Sequence, residues 1–150
     1  MKLIAHRGNI NGPVVEKENN PDYILDAIKI GYDVEIDVWF LNNRWYLGHD
    51  KPDYEIKKDF FLENKDYLWC HAKNIDGLYN MTTMNLNYFW HQNDDYTVTS
   101  RKNIWVYPGK QLINNSICVM PENNNLNLEY ITNKKCAGIC SDFISNYEGV

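Results

Sequence analysis

The sequence predicts a single α/β domain built on a mainly parallel sheet. Short apolar or aromatic runs recur between turn residues, and each run is too short to form the core of a helix. A well-marked helix separates the first two of these runs, which is the order expected of a β-α-β unit. The length of 150 residues allows one domain, spanning residues 1–150, and leaves little room for a second.

The chain begins with this β-α-β unit. Leu3–Ala5 and Val34–Phe40 are predicted strands, and residues 20–31 between them are a predicted helix. Asn20 suits the N-cap and Gly31 suits the C-terminal stop, because an Asn side chain accepts hydrogen bonds from free amides and Gly adopts positive φ without strain. The apolar residues of this helix cover one face, so the helix is expected to pack on the sheet.

The next elements are less regular. Asn42 and Asn43 lie between two apolar runs and predict a tight hairpin turn into a strand at residues 45–47. Weaker helices are predicted at residues 54–64 and 75–84, each before a further strand. After residue 86 the strand-like runs follow one another too closely for full helices between most of them.

Eight of these runs are candidates for a closed barrel. They begin at Leu3, Val34, Tyr67, Tyr88, Thr97, Ile104, Ile117 and Gly138. Dividing 150 residues among eight units leaves about 19 each, whereas a complete barrel of this kind usually needs at least ~200 residues. Most outer helices must therefore be short or missing, and a homo-oligomer in which a second subunit covers the bare flanks stays open.

Composition excludes several classes of protein. The net charge is −5 and there is no Lys/Arg-rich block, which argues against nucleic-acid binding. No run approaches the ~20 apolar residues of a membrane span, and the apolar run near the N-terminus is too short for a signal peptide. The four cysteines lack the paired spacing of a zinc ribbon and are predicted to be free. We therefore expect a cytoplasmic protein with no stable membrane insertion.

All four histidines end an apolar or aromatic run. They are His6, His49, His71 and His91. If the runs are parallel strands, the imidazoles meet at the carboxyl edge of the sheet, where functional sites of α/β proteins form. One such histidine is usually a packed core residue, but four in the same relative place indicate a site.

Two acidic residues lie on the second predicted strand. Glu35 and Asp37 alternate with Val34, Ile36 and Val38, so both carboxylates lie on one face of the strand. A solvated acidic face is one interpretation. A strand in a β-α-β unit is covered on both sides, however, so buried carboxylates need a counter-charge, from a divalent cation or from a lysine.

Four segments together resemble the glycerophosphodiester phosphodiesterase family, which belongs to the phospholipase C-like phosphodiesterases. These segments are Ile4-Ala-His-Arg-Gly8, Glu18-Asn19, the stretch from Gly31 to Val38, and Gly48-His-Asp50. The match is dense over residues 4–50 and thin afterwards. The resemblance implies a reduced, minimal TIM-barrel-like fold with most outer helices shortened or missing.

The resemblance also implies roles for five residues. His6 and His49 would be the acid/base pair, and Arg7 would hold the phosphate. Glu35 and Asp37 would hold a divalent metal, Mg²⁺ or Ca²⁺. In the family, a hydroxyl of the substrate is thought to attack phosphorus and give a cyclic phosphate, so one imidazole accepts a proton while the other donates one.

The sequence departs from the family at the third strand. A Glu-x-Lys pattern is usual there, whereas this chain has His71-Ala72-Lys73. Lys73 keeps its place among the catalytic residues, or is a surface lysine beyond the strand. His71 as a ligand would shift the preference toward Mn²⁺ or Zn²⁺, lower the affinity, or leave the position to water. Glu18 would bind the metal or orient Arg7.

The sequence thus predicts a metal-dependent phosphoric diester hydrolase, acting on a glycerophosphodiester or a related lipid-headgroup phosphodiester. Its partner would be this small substrate and not a nucleic acid. The alternative is a catalytically inactive module of the same fold that binds phosphate and metal. Retention of both His6 and His49 favours the enzyme, because a binding module needs no proton donor or acceptor.

Overall fold

The structure, a computed structural model, describes residues 1–149. These residues form ten strands in one curled, mixed sheet, with a few short helices. The strands are β1 (Lys2–His6), β2 (Asp33–Leu41), β3 (Arg44–Leu47), β4 (Tyr54–Ile56), β5 (Leu68–Ala72), β6 (Asn87–Trp90), β7 (Tyr96–Val98), β8 (Ile104–Val106), β9 (Ser116–Val119) and β10 (Gly138–Ser141). The helices are α1 (Pro21–Ile30), α2 (Lys58–Asn64), α3 (Ile75–Thr82) and α4 (Leu128–Asn133), with 3₁₀ turns at Pro121–Asn124 and Ile144–Tyr147.

Seven strands make up the parallel part of the sheet, in the order β6-β5-β2-β1-β10-β9-β8. The far half of β2 extends beyond this region and pairs antiparallel with β3, which pairs in turn with β4. At the other side, β7 pairs antiparallel with β8. The carboxyl ends of the seven parallel strands therefore lie at one edge.

The predicted TIM-barrel-like fold is wrong. A TIM barrel alternates eight strands with eight helices, whereas this chain forms a curled half-barrel in which three strand pairs are antiparallel and the described residues contain no α-helix between β6 and β9. The cause is the length of the connections. Residues 42–43 and 99–103 are too few for a crossover, so the strands that follow them turn back. The predicted helix at residues 54–64 is also corrected, because β4 takes its first turn and α2 begins only at Lys58.

Helix α1 confirms the helix predicted between the first two strands. The Asn20 side chain accepts hydrogen bonds from two amides of the first turn, and Gly31 ends the helix at φ 114°. Helix α3 follows Asn74 in the same way, with a cap bond from the amide of Gly77. Helix α4 precedes β10 and had no sequence prediction. Within residues 1–149, no helix is long and apolar enough to cross a membrane.

The concave face of the sheet is filled by a compact apolar layer. It contains one buried side chain from each of six parallel strands: Ile4, Trp69, Phe89, Trp105, Ile117 and Cys140. The Trp105 ring lies 6.0 Å from the Trp69 ring and 4.6 Å from the Phe89 ring, measured between centroids. Because this layer fills the curl, side chains farther along the strands are held above it at the carboxyl edge.

Candidate metal and phosphate site

A polar layer lies directly above the apolar one. Side chains two residues apart along a strand share a face, so five of the six apolar side chains are followed two positions later by a polar residue of the site, within the strand or one position beyond its end. The pairs are Ile4 and His6, Trp69 and His71, Phe89 and His91, Trp105 and Tyr107, and Cys140 and Asp142. Of these polar residues, His6, His71, His91 and Tyr107 line a cavity of about 410 Å³. Seven of the eight sequence-predicted site residues line it: His6, Arg7, Glu35, Asp37, His49, His71 and Lys73.

Glu35, Asp37 and His71 form the centre of this layer. The side chains of Glu35 and Asp37 are only 3 % and 1 % exposed. One ligand atom from each of the three residues lies within 4.8 Å of the others. Nδ1 of His71 is 3.1 Å from Asp37 Oδ1 and 3.8 Å from Glu35 Oε1. Strands β2 and β5 bring the cluster together, since Asp37 is paired with His71 in their register.

The tautomer of His71 follows from its other nitrogen. Nε2 lies 2.8 Å from the main-chain carbonyl oxygen of His91, which only accepts, so Nε2 carries the proton. In the neutral ring Nδ1 then presents a lone pair to two carboxylates. A proton on Nδ1, or a metal ion bound between these groups, would remove the repulsion between the Nδ1 lone pair and the two carboxylates. Metal-binding histidines are commonly held in the same way, because the ring nitrogen that does not bind the metal donates a hydrogen bond to a carbonyl oxygen.

Two carboxylate oxygens in the cluster are buried and receive no hydrogen bond, Glu35 Oε2 and Asp37 Oδ1. Burial raises the pKa of Glu35, and the adjacent Asp37 raises it further. Burial alone would also raise the pKa of Asp37, but His71, Arg7 and Lys73 outweigh it and lower this pKa. Orphaned oxygens beside an imidazole nitrogen are a donor set that fits a divalent metal ion.

Two cations flank the cluster. Arg7 lies immediately after β1 with φ 53°, and its Nε is 3.1 Å from Asp37 Oδ2. Lys73 follows β5, and its Nζ is 3.5 Å from Asp37 Oδ1. Both side chains are mostly buried, at 18 % and 17 % exposed, and both reach the cavity. A buried arginine and lysine beside a metal-type cluster suit an anion such as phosphate.

Glu18 lies behind Arg7. Its Oε2 accepts a hydrogen bond from Arg7 Nη1 at 2.9 Å, and its Oε1 accepts one from Asn9 Nδ2 at 3.0 Å. Both oxygens are therefore occupied, and Glu18 is outside the three-residue cluster. Of the two roles expected for Glu18, the contacts favour orientation of Arg7 over metal binding.

His6 and His49 approach the cavity from different sides. Nδ1 of His6 lies 2.8 Å from Asp142 Oδ1, and Nδ1 of His49 lies 2.7 Å from Asp50 Oδ1. Because a carboxylate accepts, each pair leaves Nε2 free. Burial lowers the pKa of His6, but Asp142 and Glu35 outweigh it and raise this pKa. The pKa of His49 is lowered, mainly by burial.

The turn before His49 depends on Gly48. Gly48 has φ 149°, and a Cβ there would lie 2.0 Å from the main-chain oxygen of Lys51. The Gly48 carbonyl accepts a hydrogen bond of 2.6 Å from Trp39 Nε1. The glycine and the tryptophan thus hold the backbone that carries His49 at the cavity.

Sequence reasoning gave no role to several residues that hold the site. Buried Asn9 donates to Asp142 Oδ1 at 2.8 Å, and Asn19 both donates to Asp37 Oδ2 and accepts from the Asp37 amide, each at 2.9 Å. Asp142 is not among the residues predicted for the site, and His91 is predicted only as the fourth strand-end histidine. Position at a strand end is the available signal for both. Asn19 belongs to the Glu18-Asn19 segment of the resemblance, whereas no local pattern marks Asn9.

Comparisons with known proteins found no relatives. Neither a scan against protein-family models, nor a search of curated proteins, nor a search of solved structures gave a match. The function of the chain is therefore argued from the site itself.

Proposed function

We propose that this protein is a metal-dependent phosphodiesterase that acts on a glycerophosphodiester or a related small phosphodiester. The observation that carries the proposal is the buried cluster of Glu35, Asp37 and His71 with two unpartnered carboxylate oxygens. Arg7 and Lys73 lie against the same cluster, in one cavity with the two histidines. Each feature is common alone, but their combination matches the requirements of phosphodiester chemistry.

A phosphodiester is an anion, so its binding and its transition state both require cations at the non-bridging oxygens. Arg7 offers a planar set of donors held in place by Glu18, and Lys73 offers a point charge on the other side of Asp37. The cluster would hold a divalent ion through Glu35, Asp37 and His71. When bound, this ion supplies positive charge at phosphate and polarises the phosphorus centre. Its mixed oxygen and nitrogen ligands suit Mn²⁺ better than Mg²⁺ or Ca²⁺, both of which prefer oxygen alone.

The two histidines would move the protons. One free Nε2 takes the proton of the attacking hydroxyl, which belongs to the substrate or to a water molecule, as its oxygen bonds to phosphorus. The other imidazole, in its protonated form, gives a proton to the alcohol oxygen as the old P–O bond breaks. Asp142 and Asp50 fix the ring orientations by accepting from Nδ1, so that Nε2 is the nitrogen that reacts.

The test is hydrolysis of glycerophosphodiesters and of bis(p-nitrophenyl) phosphate, with Mg²⁺, Mn²⁺ or Ca²⁺ against EDTA. We expect metal-dependent turnover that falls roughly 10²-fold or more in His6→Ala and in His49→Ala. Arg7→Gln should raise KM and lower kcat. Arg44→Gln is the matched control, because Arg44 is an exposed arginine of the β3 hairpin that pairs with Glu55 and does not line the cavity.

Two other outcomes would contradict the proposed enzymatic activity. Metal-dependent binding of phosphate without turnover of any diester would support the inactive binding module instead. If neither turnover nor metal-dependent phosphate binding is seen, both interpretations of the cluster fail.

A further inference from the structure

His91 and Asp94 form a third histidine–carboxylate pair at the same cavity, and the proposed reaction gives His91 no role. Its Nδ1 lies 2.8 Å from Asp94 Oδ2, which repeats the arrangement of His6 and His49. The side chain is 11 % exposed, so it is a built part of the cavity wall and not a solvated surface group. The link to the metal-type cluster is through the His91 main chain, whose carbonyl accepts from His71.

The His91 ring lines the cavity and has one open nitrogen. Because the Asp94 carboxylate accepts from Nδ1–H, Nε2 of the neutral ring carries a lone pair. This Nε2 has no hydrogen-bond partner among residues 1–149, and it is not fully enclosed. The His91 ring lies 5.6 Å from the ring of Tyr107, measured between centroids. A hydrogen-bond acceptor thus stands beside an aromatic ring in the wall of the cavity.

The chemistry of this wall differs from that of the phosphate side. Besides His91, it is lined by Gln92, Trp105, Tyr107 and Pro108, together with Val119 and Met120. Among the described cavity-lining residues, the Arg, Lys, Asp and Glu side chains are Arg7, Lys73, Asp37 and Glu35, which all belong to the metal-type cluster or flank it. The wall therefore offers an imidazole, an amide and a phenol for hydrogen bonds. The charged groups beside it are already paired, Asp94 with His91 and Asp95 with Lys110.

We infer that His91 is a specificity-determining residue that binds an uncharged, hydroxyl-bearing ester substituent of the substrate. Nε2 accepts a hydrogen bond from a hydroxyl of that substituent, whose carbon chain lies against Tyr107. The inference rests on the proposed function, because it assumes that the phosphate is bound at Arg7 and Lys73. It assigns the polyol half of the diester to the His91 wall and makes Asp94 a positioning residue for the ring.

Binding provides a test that does not depend on turnover. With the Mn²⁺-loaded protein, glycerol 3-phosphate should bind more tightly than inorganic phosphate by calorimetry. His91→Leu should reduce this preference roughly 3- to 10-fold, the value of one lost hydrogen bond. His91→Gln should keep much of it, since a Gln side-chain oxygen also accepts. The substitutions leave the main-chain carbonyl that holds His71.

Kinetics provides a second test. The ratio of kcat/KM for a glycerol-substituted diester to that for bis(p-nitrophenyl) phosphate should fall by a similar factor in His91→Leu and recover in His91→Gln. An unchanged ratio, or an equal loss on both substrates with a lower Tm, would overturn the inference and leave His91 as a structural residue of the turn to Asp94. If no diester is hydrolysed, the proposed function fails, and the preference for glycerol 3-phosphate over phosphate still decides the role of His91.

Discussion

Replacing Glu35 by Gln tests whether the cluster of Glu35, Asp37 and His71 is a metal site or a structural ion cluster. Ligand atoms of Glu35 and Asp37 lie within 4.8 Å of each other and are buried. At an effective dielectric of about 20, two unit charges at that separation repel by about 3.5 kcal/mol, before the attraction of Arg7 and Lys73 is counted. Gln has the same shape and no charge, so Glu35→Gln should leave the metal-free protein as stable as the wild type or more stable.

In the presence of metal, we expect Glu35→Gln to be less stable than the wild type. A ligand at 100 times its Kd stabilises the folded state by about 2.7 kcal/mol. For a chain of this length, 1 kcal/mol corresponds to about 2–4 °C, so the wild type should gain roughly 5–11 °C in Tm. Because Glu35→Gln removes one of three protein ligands, most of this gain should disappear.

Thermal unfolding with EDTA and with saturating Mg²⁺ or Mn²⁺ measures both effects. Glu55→Gln is the control, because Glu55 is an exposed glutamate paired with Arg44 and lies away from the cluster. It should show the full metal-induced gain. If Glu35→Gln gains as much Tm from metal as the wild type does, Glu35 is not a ligand and the site assignment is refuted. A lower metal-free Tm together with no metal effect in either protein would make the cluster a structural ion pair.

Three further predictions concern other parts of the molecule. His71→Glu should shift binding away from Mn²⁺ toward Mg²⁺ and Ca²⁺, and an unchanged ratio of Kd values in calorimetry would contradict a ligand role for His71. The four cysteines are buried, and burial raises the pKa of Cys118 to about 12, so a thiol reagent at pH 8 should label none of them until guanidinium unfolds the chain. Gly48→Ala should lower the free energy of unfolding in denaturant by more than ~1 kcal/mol and reduce turnover, because the added Cβ meets the Lys51 carbonyl. Gly31→Ala is the control, since Gly31 is also at positive φ but in open space, and it should lower the stability less and leave turnover intact. Equal effects of the two substitutions would argue against a special turn at His49.

Local sequence signals predicted the first elements well. Helix α1 forms where Asn20 and Gly31 mark its ends, and β2 carries Glu35 and Asp37 on one face. Both follow from short-range chemistry, a capping side chain in the first case and a period of two in the second. The strand direction after residue 86 does not follow from such signals, because an apolar run of three or four residues reads the same in either direction.

The fold class was therefore predicted wrongly although the strands were largely placed. The run at Thr97 was counted as one of eight parallel strands, yet it forms β7, which pairs antiparallel with β8. Helix α4 was missed because its six residues carry little amphipathic pattern. For the site, the strand-end histidines and the alternating acids supplied the candidates, whereas the partners of those residues come from distant parts of the chain.

By itself, the sequence determined which residues are candidates for the site: the acids on one face of β2, the histidines at strand ends, and Arg7 with Lys73. These depend on residue type and on spacing within a single element. Only the tertiary structure decided how they are used. The register of β2 and β5 sets Asp37 beside His71, the His91 carbonyl selects the tautomer of that ring, and Asp142 reaches His6 from 136 positions away. Such contacts arise when the sheet curls, because burial then forces each polar atom to find a partner across strands that are remote in sequence.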